Sequence, residues 1–193
     1  GSDCHGLFTC YDSNYIIRSI GLSQFEDMSG NPVRALFLDN DKTLWLGTKG
    51  GGMLRIPRFN PGMEIKPMAA QRFTSTASAL SHNSVFAFAR SRRPILWIAT
   101  DEGIDYYSYA DNRIHNAGSS SRMHHIHDIY ESDDSTLWLA TDGNGVVQCD
   151  VSGSYSAPVV TVRKTYTLDG GDISSNYFFS LSSTPEGRLL FAN

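Results

Sequence analysis

The stretch DKTLWLGTKGGGMLRI, residues 41–56, decides how this chain is read. It sets a tryptophan inside a short apolar run and then drops into three glycines. Alone, such a turn suits a phosphate-binding loop, a catalytic loop or a structural corner. The phrase recurs, and the recurrence chooses among them. VRALFLDNDKTLWLGTKGGGMLRI (33–56) aligns with VFAFARSRRPILWIATDEGIDYYS (85–108), and again with IHDIYESDDSTLWLATDGNGVVQCD (126–150). A degenerate fourth copy, FFSLSSTPEGRLLFAN, closes the sequence at 178–193.

The register is tight. Trp45, Trp97 and Trp138 each follow a Leu and precede Thr48, Thr100 and Thr141 by three residues. Twelve residues before each Trp stands Val33, Val85 or Ile126. In the fourth copy Leu190 replaces the Trp, Phe178 the leading apolar residue and Asn193 the Thr. The Trp positions are spaced by 52, 41 and 52 residues, a period of propeller blades rather than of helical solenoids.

Each unit reads as an apolar β-type run, a polar turn (39–42, 91–94 or 132–135), a second run with the Trp, and a Gly-containing turn. A third run such as GMLRI and a fourth such as AAQRFT follow. Short runs of Val, Ile, Leu, Phe and Tyr bounded by Gly, Asn, Asp and Ser are antiparallel meanders. The expected fold is therefore all-β, with four-stranded blades, about four of them. A lone four-stranded sheet covers neither face, so each blade must stack on its neighbours. Trp45, Trp97 and Trp138 are expected as packing wedges between sheets. The turn TKGGGML has no Gly-Lys-Ser/Thr ending and no following helix, so the sequence reads it as a hairpin corner.

Composition bounds the function. With 193 residues, 40% hydrophobic and 19% charged, the chain suits a folded domain. A net charge of −4 gives no electrostatic case for nucleic acid or an anionic membrane. No apolar run of about 18 residues exists to span a bilayer, and the opening GSD carries no signal-peptide pattern. The start is not expected to be a native N-terminus: GSD reads either as a cloning scar or as the first residues of an excised piece. Cys4, Cys10 and Cys149 lack metal-ligand spacing; Cys4 and Cys10 are left open to a bridge or to idle thiols.

The pattern of apolar strand, Asp, Leu-Trp-Leu-Gly-Thr and Gly-rich turn resembles the two-component regulator propeller repeat. RSIGLSQ (18–24) and TYTLDGGDISSN (165–176) resemble the phrase that leads into each repeat, so the resemblance covers nearly the whole chain. Lys42, Pro94 and Ser135 depart from the Gly usual in the first turn, which Gly187 alone keeps. The resemblance implies the periplasmic sensor domain of a hybrid two-component system, histidine kinase and response regulator in one protein. It further implies signalling to a cytoplasmic kinase, with an oligosaccharide or other small ligand as the stimulus. Propeller pairs, a β-sandwich, a membrane helix and the kinase that such sensors carry are missing from these residues, so a non-enzymatic fragment is expected.

On this reading 1–193 is one propeller fragment. Residues 1–30 form the outer half of a blade, 31–82, 83–124 and 125–175 complete blades, and 176–193 an inner half. The two halves either join as one split blade or pair with another copy, two chains making an eight-bladed ring. Other blades of the parent chain are the remaining partners.

Candidate site residues follow from propeller geometry. Loops between second and third strands gather on one face around the axis, which places Lys49, Asp101, Glu102, Asp142 and Asn144 on a rim. Arg34, Phe86, His127 and Phe179 stand one residue after the leading apolar position of each innermost strand. Polar groups mixed with aromatics suit carbohydrate. MHHIHD (123–128) places His125 and His127 on one strand face, too few ligands for a closed metal site; no metal and no cofactor are expected. The paired acids Asp101–Glu102, Asp133–Asp134 and Asp142 lack any pattern that marks them as a catalytic pair. The alternatives to a sensor are a scaffold propeller for protein–protein contact and a propeller-fold carbohydrate-active enzyme.

Overall fold

The computed structural model describes the backbone of 7–10 and 17–20, and residues 25, 28, 30–60 and 69–193. An antiparallel pair opens it, β1 (Leu7–Cys10) with β2 (Ile17–Ile20). Three four-stranded antiparallel sheets follow in chain order. The first comprises β3 (Val33–Leu38), β4 (Leu44–Thr48), β5 (Met53–Ile56) and β6 (Gln71–Phe73). The second comprises β7 (Val85–Arg90), β8 (Ile95–Thr100), β9 (Ile104–Ser108) and β10 (Arg113–Gly118). The third comprises β11 (Ile126–Asp133), β12 (Thr136–Thr141), β13 (Val146–Gly153) and β14 (Pro158–Tyr166). A two-stranded ladder, β15 (Ser180–Ser183) with β16 (Leu189–Ala192), ends the chain. Each sheet is an up-and-down meander, and the first strands β3, β7, β11 and β15 lie side by side in sequence. This is a propeller arrangement, all-β apart from one described 3₁₀ turn at Ser121–Met123. No helix among the described residues is long and apolar enough to cross a membrane. The bridging of Cys4 and Cys10 lies outside the described residues.

Packing explains the apolar runs. Every residue of β4, β8 and β9 is buried, because these middle strands meet a neighbouring sheet or its connections on both faces. Trp45 is fully buried, its ring 4.6 Å from that of Tyr107 and 6.4 Å from that of Phe88, both in the second sheet. Trp97 is equally buried and joins Ile129, Leu137 and Leu139 of the third sheet in one cluster. Trp138 is half-buried against Tyr166 and Phe191. Each Trp thus reaches forward into the next sheet.

Carboxylates clasp neighbouring sheets where packing ends. Asp39 accepts from the Tyr109 hydroxyl and pairs with Arg90 at 3.0 Å. Glu131 accepts from Ser91 Oγ at 2.6 Å, Arg92 N at 3.1 Å and the Trp97 indole N–H at 2.5 Å. Asp128 accepts from the Leu181 amide at 2.7 Å.

The Gly-rich turn is a corner, and its amides are already spent. Gly50 and Gly52 donate to the Asn83 carbonyl at 3.1 and 2.8 Å, and Gly51 donates to Thr48 Oγ1 at 3.0 Å. Thr48 returns a bond through its hydroxyl to the Gly52 carbonyl at 2.9 Å. Thr100 and Thr141 do the same toward Gly103 and Gly145. No amide of residues 50–52 is left to cradle a phosphate. Gly52 is required here: its φ is +81°, and a Cβ would sit 2.2 Å from the Phe73 carbonyl oxygen.

Candidate functional site

At the ends of the innermost strands lies an open cavity of about 540 Å³. Four blade units contribute to it, and they do so by two repeated devices.

The first device is a β-bulge. In β3 the ladder pairs Val33 with Thr48 and Ala35 with Gly47, leaving Arg34 as the extra residue. In β7 Phe86 is skipped between Val85 and Ala87, and in β11 His127 is skipped between Ile126 and Asp128. A bulged residue is released from the pleat and re-aimed, here into the cavity. Phe179, just ahead of β15, fills the corresponding place in the last unit. The bulge residues meet across sheets: the Phe86 and His127 rings stack at 4.8 Å and 24°, and Phe179 meets His127 edge-on at 5.1 Å.

The second device is the residue directly after each motif Thr. Its amide extends the first ladder: Lys49 N donates to Pro32 O, Asp101 N to Ser84 O and Asp142 N to His125 O. That pairing holds Lys49, Asp101 and Asp142 at the inner end of the sheet, where all three line the cavity. Position in the ladder, rather than membership of the turn, selects them.

This corrects two of the rim assignments. Glu102 and Asn144 do not line the cavity. Glu102 lies past the ladder's end, its amide on Thr100 Oγ1 and its carbonyl receiving Ser119 Oγ at 2.7 Å. Asn144 turns away toward the preceding connection, where Nδ2 donates to the Ser121 carbonyl at 3.3 Å. The structure brings together Arg34, Lys49, Phe86, Asp101, His127 and Asp142, with Phe179.

His125 completes the lining, although the sequence offers it only as a solvated or hydrogen-bonded strand-end histidine or a metal ligand. It precedes β11 and does not share a strand face with His127: its φ is +53°, fixed by its amide on the Asp101 carbonyl at 2.9 Å and its own carbonyl on Asp142 N at 3.0 Å. A non-glycine residue in that left-handed region has no simple signature in sequence. His125 Nδ1 lies 3.2 Å from Asp101, and His82 Nδ1 lies 3.6 Å from the other Asp101 oxygen. That His82 nitrogen accepts the Ser84 amide at 3.1 Å and so has no proton to give Asp101. His127 Nε2 stands 3.7 Å from Asp142. Burial holds the His127 imidazole below its ordinary 6.5, against the opposing pull of Asp142 and Asp101. Among the described residues no group of three His, Cys, Asp or Glu is placed to hold a metal.

Chemically, the cavity offers two fixed cations, two carboxylates, two imidazoles and two phenyl rings around a half-open recess. Such a mixture is chemically suited to a polar molecule with apolar faces.

The comparisons with known proteins agree with the propeller arrangement. Residues 27–50 match the family described as two component regulator propeller, the segment holding the first motif of the repeat. No curated protein matches the chain. Among solved structures, the extracellular domain of a hybrid two component system from B. thetaiotaomicron superposes with a TM-score of 0.68 at 22% identity, over 92% of this chain and 25% of that one. A second such domain from the same organism gives 0.67 at 12% identity, over 99% and 27%. A protein described as a 6-phosphogluconolactonase from Bacteroides fragilis gives 0.58 at 13% identity, over 95% and 56%. The chain spans about a quarter of the length of the two sensor-system domains it matches. These likenesses establish the propeller fold, and the extracellular domains score above the lactonase.

Proposed function

We propose that this chain is part of an extracytoplasmic sensor propeller of a hybrid two-component system, and that its cavity helps recognise an oligosaccharide. The parent protein is then an inner-membrane receptor with its sensor in the periplasm, passing ligand occupancy to a cytoplasmic histidine kinase. The blade boundaries at 31–82, 83–124 and 125–175 belong to the same proposal. So do closure of the flanking halves as one split blade, or by pairing with a second chain.

The observation that carries the reading is the convergence of one bulge residue and one post-threonine residue from each of the three four-stranded sheets on a single recess. Arg34, Phe86 and His127, with Lys49, Asp101 and Asp142, arrive there by the same two backbone devices. Framework packing alone asks for no such repetition, because the core lies in the buried middle strands. Sugars present hydroxyls to charged and polar groups and C–H faces to rings, which this mixture supplies.

Calorimetry of the chain against oligosaccharides released from plant and host glycans tests the reading. Saturable binding weakened at least tenfold by Phe86→Ala supports it. Turnover of the sugar would instead favour a carbohydrate-active enzyme, and silence across the panel a scaffold propeller.

A further inference from the structure

The charges of the cavity are not evenly spread. Both fixed cations come from the first sheet, Arg34 from its bulge and Lys49 from the end of β4. Both carboxylates come from the next two sheets, Asp101 and Asp142. Each carboxylate has an imidazole beside it: His125 lies 3.2 Å from Asp101, and His127 lies 3.7 Å from Asp142. Lys49 has no acidic group within ion-pair distance among the described residues, though the chain as a whole carries a net charge of −4. An ammonium at a cavity wall with no carboxylate within ion-pair distance is open to an anion that a ligand brings.

We propose that the ligand is an acidic oligosaccharide, whose uronate carboxylate docks at Lys49 while its neutral sugar face lies on Phe86 and Phe179. This rests on the oligosaccharide reading above and specifies its class. Lys49 supplies a mobile point charge to that carboxylate. Asp101 and Asp142, on the second and third sheets, accept sugar hydroxyls. An acidic peptide shares the carboxylate but brings amides in place of a hydroxyl array, and so leaves the two aspartates poorly served.

Calorimetry at neutral pH and low salt decides, using trigalacturonate with its methyl ester and galactotriose, aldotriouronic acid with xylotriose, and triglutamate. The expected result is that at least one of the two sugar acids binds ten-fold or more tighter than its neutral counterpart. Lys49→Met should abolish that preference with an unchanged melting temperature, and added salt should erode it. Equal binding of ester or galactotriose, a preference that survives in Lys49→Met, or triglutamate binding as tightly as trigalacturonate would each overturn the inference. If neither sugar acid binds, the acidic class is wrong, whereas the oligosaccharide reading fails only if the neutral panel is silent as well.

Discussion

The Gly52 amide donates to the Asn83 carbonyl at 2.8 Å, joining the corner of one sheet to the approach of the next. Gly145 and Asn176 repeat the relationship at 2.9 Å. The asparagine side chains serve the same joint from behind, Asn83 Oδ1 accepting Ser75 N at 2.8 Å and Asn176 Oδ1 accepting Leu168 N at 2.7 Å. The glycines that look like a nucleotide loop in isolation are the hinge pins between blades.

Gly52→Ala should therefore be far costlier than Gly187→Ala. Both positions have positive φ, +81° and +79°, so both incur a left-handed penalty of about 1–2 kcal/mol. Only at Gly52 does the new Cβ also meet a backbone carbonyl, 2.2 Å away, whereas the space at Gly187 is open. Urea denaturation of the two variants is expected to separate them by at least another 1 kcal/mol. Equal losses would contradict the crowded corner.

The tryptophans differ in what their N–H groups do. The Trp97 indole donates to Glu131, while the buried Trp45 Nε1 finds no acceptor among the described residues. Phenylalanine keeps much of the ring area at either site. Trp97→Phe additionally withdraws a donor from a carboxylate, a loss of about 1–3 kcal/mol. Thermal denaturation should rank Trp97→Phe below Trp45→Phe, with the gap closing when Glu131 is also changed to Gln.

How much of this was legible in the sequence differs by layer. The strands were readable because Leu-Trp-Leu/Ile with Thr three residues on repeats in register, and burial on both faces enforces apolar residues there. The cavity was readable only in part. Counting from the leading apolar residue finds Arg34, Phe86 and His127, but nothing in their side chains announces the bulge that aims them. Counting from the Thr finds Lys49, Asp101 and Asp142, yet overshoots to Glu102 and Asn144, since the ladder ends after one residue. His125 was hidden by its left-handed backbone. The clasps at Asp39, Glu131 and Asp128 join residues tens of positions apart and change type from sheet to sheet, so no repeat betrays them.

The pH dependence of stability carries the mark of His127. Its folded-state imidazole binds a proton less readily than the usual 6.5 because of burial. Below that value the unfolded chain takes up the proton first, so this group stabilises the fold above pH 6.5 and the contribution is lost as pH falls through the folded value. Melting temperatures from pH 7.5 to 5 should fall less steeply in His127→Gln than in the parent chain. A steeper fall in the variant would reverse the assigned sign.

Cys149 is buried in the cluster shared by the second and third sheets, and burial pushes its thiol up to about 12. Iodoacetamide at pH 8 should leave it unmodified in the folded chain and alkylate it fully in denaturant, as peptide mapping would show. Labelling at native rates close to those of a free thiol would mean that these two sheets part readily.

The central claim is that the inner-end cavity is where a ligand lands. Amide spectra of the isotopically labelled chain, recorded while a binding oligosaccharide is added, test it most directly. The account predicts shifts concentrated at Arg34, Lys49, Phe86, Asp101, His127, Asp142 and Phe179. Shifts gathered instead at the outer groove between β6 and β10, around Arg113 and His115, with the cavity amides unmoved, would contradict it.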